Sequence, residues 1–96
     1  MKDIETRKAI QALKKLCKKR GIELTTTSGR GSHVAMVFRD IETDKTLKIV
    51  VGGHGTISAG VQRDTITYVE NATKWLGVAK LAATVLKILK DVFLGG

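Results

Sequence analysis

The period of the apolar positions changes along the chain. From Ile4 to Arg20 it is helical: Ile10, Leu13, Leu16 and Cys17 recur at three- and four-residue steps, which places them on one face of a helix. Gly21 stands where a helix C′ residue belongs, with Ile22 as its apolar successor, so the helix is expected to stop there. The period then drops to two. Ile22, Leu24 and Thr26 alternate with Glu23, Thr25 and Thr27. Val34, Met36 and Phe38 alternate with His33, Ala35, Val37 and Arg39, and Leu47, Ile49 and Val51 share one side of a third run. These predict strands over 22–27, 33–39 and 46–51. Ser28 to Ser32 holds two glycines and is expected to turn, and Asp40 to Lys45 is a polar hairpin loop. After Gly52-Gly53-His54-Gly55, Thr56 or Ser58 can cap a second helix over about Ala59 to Ala72, with Val61, Ile66 and Val69 inward.

The resulting order for residues 1–73 is α-β-β-β-α. It predicts an α+β domain in which two helices cover one face of a three-stranded antiparallel sheet. The remaining segment, 74–96, reads as an additional amphipathic helix from Lys74 to Leu94. Trp75, Val78, Ala79, Ala82, Val85, Leu86, Leu89, Val92 and Phe93 form a wide apolar stripe, with Lys80, Thr84, Lys87 and Asp91 opposite. Such a face needs cover. The first two helices are already committed to the sheet, so the expected cover is another chain. That implies a homo-oligomer through residues 74–94, ahead of packing within the chain. A membrane surface ranks last.

Composition adds bounds. Ninety-six residues, 43% of them apolar, suit one domain with a modest core. Cys17 is the single cysteine and cannot form an internal disulfide, which suits a reducing compartment. Lys2 and Asp3 lead into charges rather than an apolar run, and no stretch is apolar enough to span a bilayer. A cytoplasmic location is therefore expected.

The net charge of +8 is unevenly placed. Residues 1–20 carry +6, residues 21–73 carry −1 and residues 74–96 carry +3. Lys8, Lys15 and Lys19 fall within about 40° of one another around the first helix, on a face separate from its apolar stripe. Basic end segments around a neutral middle fit a polyanion-binding face. The α-β-β-β-α order is also that of double-stranded-RNA-binding domains, which read shape, 2′-hydroxyls and phosphates. RNA is thus the expected partner, and no DNA contact is expected for this chain alone.

Four stretches carry a family resemblance. They are KKLCKKRGIEL at the end of the first helix, GRGSHVAMVF leading into the second strand, LKIVVGGHG at the end of the third, and GVQRDTI at the start of the second helix. In this order, over about residues 7–70, the chain resembles the HicA-like toxins, small bacterial ribonucleases of type II toxin–antitoxin systems. Where that family usually has a further polar residue after the Gly-Ser-His triplet, this chain has Val34 and Ala35. Where the family has a proline near the end of the third strand, it has Gly52-Gly53. The resemblance implies an endoribonuclease acting on messenger RNA, with His33 of the triplet catalytic and a HicB-like antitoxin as cognate partner.

The chemistry of His33 is compatible with that role. RNA carries its own nucleophile in the 2′-hydroxyl, so cleavage needs a group that takes a proton and groups that stabilise the phosphate. An imidazole suits proton exchange near neutral pH. Arg30, Gly31, Ser32 and Lys48 are candidate phosphate contacts, together with Lys8, Lys15 and Lys19. The Gly29–Gly31 turn can offer backbone N–H groups. On spacing alone, His33 reads first as an exposed turn-end residue, and it is the family resemblance that makes it a catalyst. His54 is a candidate second acid/base group or a loop residue. Two histidines without further ligands at suitable spacing make no metal site, and no cofactor is expected. Two rival readings remain: a non-catalytic RNA-binding module, and an interaction protein assembled through its last helix.

Overall fold

A computed structural model describes residues 1–28, 33–52 and 55–95. Arg30, Gly31, Ser32 and His54 lie outside the described residues. The elements are β1 (Ile4–Glu5), α1 (Thr6–Lys19), β2 (Ile22–Ser28), β3 (His33–Asp40), β4 (Thr46–Gly52), β5 (Thr56–Ile57), α2 (Ala59–Ala72) and α3 (Ala79–Phe93). The fold is α+β, with a three-stranded antiparallel sheet ordered β2-β3-β4.

The alternation along each strand sorts the sheet into two faces. Ile22, Leu24, Met36, Phe38, Leu47, Ile49 and Val51 are buried on one face. Glu23, Thr25, His33, Lys48 and Val50 are exposed on the other. α1 covers the β2 side of the inner face and α2 approaches β4. α1 buries Ala9, Leu13 and Cys17, one residue in four along a single stripe. It ends as expected at Gly21, whose φ of +70° suits a residue without a Cβ. The second helix has the expected bounds. Its N-cap is Ser58, whose Oγ accepts the Val61 N–H at 3.2 Å. Its buried stripe is Gln62, Thr65, Ile66, Val69 and Ala72. Val61 is only half-buried.

Two features differ from expectation. The first helix starts at Thr6 rather than Ile4, because Ile4 and Glu5 pair with Ile57 and Thr56 in a second, two-stranded ribbon. The Asp3 carboxylate accepts the Ala59 N–H at 3.1 Å, and the Gln62 Nε2 donates to the carbonyls of Lys2 at 2.6 Å and Ile57 at 2.9 Å. These contacts fasten the N-terminal segment to the start of α2. Two-residue strands are too short to show alternation, so nothing in the pattern announces them.

The second difference is a correction. The expected helix over Lys74–Leu94 begins only at Ala79, after a turn in which Gly77 has a φ of +91°. Its apolar stripe is covered by the same chain. Leu81, Ala82, Val85, Ile88, Leu89 and Phe93 are buried in one cluster with the residues of α1 and the sheet, and α3 packs against both α1 and α2. The expectation that another chain covers this stripe is thereby replaced by an intramolecular partner. The two outer helices leave a groove that a third helix fills. Among the described residues no helix is long and apolar enough to cross a membrane.

Candidate functional site

The site forms where β3 begins and β4 ends. His33 is the first residue of β3 and lies directly across from Gly52 on β4. Its side chain is exposed on the open face of the sheet, and its imidazole has no hydrogen-bond partner among the described residues. The ring lies close over the glycine: a Cβ placed on Gly52 would sit 3.6 Å from Nε2 and 3.7 Å from Cδ2. A Cβ there would make an ordinary van der Waals contact with the ring.

β4 is an edge strand. The Asp40 N–H donates to the Lys45 carbonyl at 2.9 Å, which fixes the parity of the ladder. Pairs 38–47, 36–49 and 34–51 then exchange the hydrogen bonds, and the backbone groups of Lys48, Val50 and Gly52 point away from β3. α2 runs beside that edge, and its Tyr68 hydroxyl makes a long contact, 3.5 Å, to the Lys48 carbonyl. Between edge and helix lies a cleft of about 630 Å³. His33 stands at one end; Lys48, Val50 and Gly52 form one wall, and Val61, Asp64, Thr65 and Tyr68 the other. The α2 residues are spaced i, i+3, i+4, i+7 and so share one helix face. Lys48 and Asp64 are exposed, and neither makes an ion pair among the described residues.

Of the residues singled out from the sequence, the cleft brings together His33 and Lys48. It does not include Lys8, Lys15 or Lys19. These are exposed on α1, which packs on the β2 side of the sheet, away from β4. Lys8 is also engaged, with its ammonium 3.1 Å from the Glu5 carboxylate. Asp64, Thr65 and Tyr68 are additions. The available signal was their shared face on a helix whose apolar stripe was already assigned.

Chemically, the cleft offers an exposed imidazole, an ammonium able to hold a phosphate, a carboxylate and a phenol, all open to a polymer passing along the sheet edge. The comparisons add no relative: no protein-family model, no curated protein and no solved structure matches the chain.

Proposed function

We propose that the chain is an endoribonuclease of the HicA-like kind, cutting messenger RNA in the cytoplasm and held in check by a cognate antitoxin. The observation that carries the reading is the placement of the exposed His33 imidazole, without a hydrogen-bond partner among the described residues, over Gly52 in a cleft that also holds Lys48. In this reading the imidazole takes the proton from a 2′-hydroxyl as its oxygen attacks the adjacent phosphorus. Lys48 stabilises the charge on the phosphoryl oxygens. The P–O5′ bond breaks, the departing oxygen takes up a proton from water, and the imidazolium returns its own proton to solvent. The products are a 2′,3′-cyclic phosphate and a 5′-hydroxyl. This route uses the RNA's own nucleophile and asks for no cofactor. An antitoxin bound over the open face at β3 would cover His33.

The test is incubation of the purified chain with single-stranded RNA in EDTA, followed by analysis of the new ends. Cleavage leaving 2′,3′-cyclic phosphates, lost in His33→Ala with the melting midpoint unchanged, supports the reading. Full cleavage by His33→Ala removes His33 from the mechanism. RNA binding by the parent without any cleavage favours a non-catalytic RNA-binding module.

A further inference from the structure

Beside the cleft lies an exposed aromatic pair to which the proposed reaction gives no role. Tyr68, on the cleft wall, meets Trp75 edge to face, with ring centroids 5.4 Å apart and planes at 86°. The two rings are 41% and 42% exposed, although both are large enough to be core residues. Leu76 beside them is fully exposed. Trp75 does not belong to the α3 stripe that fills the core. It sits in the turn between α2 and α3, held there by its N–H to the Ala72 carbonyl at 3.0 Å. Exposed lysines flank the pair: Lys74 next to Trp75 in the chain, and Lys48, whose carbonyl faces the Tyr68 hydroxyl.

Aromatic side chains open to solvent, cations at their margin and a cleft for the phosphate together make up a single-strand nucleic-acid platform. We propose that Tyr68 and Trp75 stack an unpaired nucleobase of the RNA whose phosphate lies between His33 and Lys48. The inference rests on the reading of the chain as an RNA-cutting enzyme and adds the form of its substrate. The RNA must be single-stranded at the cut, because a base held in a duplex stack cannot reach the pair. Charge favours RNA over a protein as the occupant, since the chain carries +8 and the exposed Lys48 and Lys74 border the patch, against Asp64 as the carboxylate on the cleft wall.

Trp75 is the single tryptophan of the chain, so its emission reports on the platform alone. The experiment titrates an eight-nucleotide single-stranded RNA, and the same sequence as a blunt duplex, into the His33→Ala chain, which keeps the RNA intact. Quenching by the single strand and not by the duplex is expected. Trp75→Ala should weaken binding about tenfold and Trp75→Phe should restore most of it. Binding that leaves the emission unmoved, or equal affinity for parent and Trp75→Ala, overturns the proposal and leaves the patch to a protein partner. The nuclease reading is tested separately by cleavage with the parent chain. Quenching without cleavage overturns that reading and supports the platform; cleavage without quenching does the reverse.

Discussion

His33 and Gly52 face each other across the β3–β4 ladder, and the imidazole lies at contact distance from where a Cβ on residue 52 would stand. The separation predicts a graded response. A Cβ at 3.6 Å from Nε2 is an ordinary contact, so Gly52→Ala should keep cleavage within a fewfold of the parent. Its stability should be equal or higher by roughly 0.5 kcal/mol, because glycine in a strand carries an entropic penalty. Gly52→Val adds two methyls beyond that Cβ and has to move the ring. Cleavage should fall by about tenfold or more for a misplaced acid/base group, with little change in the melting midpoint. Parent-like cleavage in Gly52→Val would show that the position of the ring over residue 52 does not matter.

On the proposed nuclease reading, the lysines fall into two groups with different expected kinetic signatures. Lys48 lines the cleft with His33, so Lys48→Ala should lower kcat as the interaction with the transition-state phosphate is lost. Lys15 and Lys19 are exposed on α1, away from the cleft. Lys15→Ala and Lys19→Ala should raise KM without moving kcat. If RNA backbone crosses that face, each should also reduce the slope of log K against log salt by about 0.7. Lys8 is paired with Glu5 at 3.1 Å and should have a smaller effect than either. Unchanged salt slopes for both α1 variants would take RNA off this helix.

The α3 helix is core rather than appendage. Leu89 and Val85 are fully buried, in one cluster with Leu13 of α1 and Val69 of α2. Leu89→Ala should destabilise the fold by about 2–5 kcal/mol, the usual range for an emptied leucine site. A chain ending at Thr73 exposes the surfaces of α1 and α2 that α3 covers and should lose its cooperative melt by circular dichroism. A shortened chain that melts like the parent would return α3 to the role of an independent arm.

How legible the fold was depends on the range of the interactions involved. The α2 helix, its Ser58 cap and the three main strands are written in local periodicity and capping chemistry, and the structure reproduces them within a residue or so. Ile4–Glu5 and Thr56–Ile57 pair across more than fifty residues with only two residues a side, so no local pattern marks them. The apolar stripe of Leu81 to Phe93 announces that it needs a partner but not which one; that depends on the groove between α1 and α2. The site divides the same way. His33 stood out through the Gly-Ser-His resemblance and Lys48 as a basic residue on a strand, whereas Asp64 and Tyr68 join them only because α2 lies against the β4 edge. The approach of a helix face to a strand edge is a tertiary relationship, and spacing within either element does not encode it.

Cys17 gives a pH test of the core. It is 1% exposed, and burial pushes its thiol up from the usual 9.0 to about 11, because the thiolate is disfavoured away from water. The unfolded chain ionises the thiol near its ordinary value while the folded chain holds it neutral. Below pH 9 both states carry the proton and the contribution is constant. Between about 9 and 11 the unfolded state gains from ionisation and stability falls as pH rises. The measurement is a comparison with a variant that lacks the thiol. Urea midpoints from pH 7 to 11 should decline more steeply for the parent than for Cys17→Ala, although the variant starts lower for want of packing. Native Cys17 should also react with a disulfide reagent only as fast as the fold opens. Parallel declines together with rapid modification of the native chain would mean that the thiol is not sealed between α1 and the sheet.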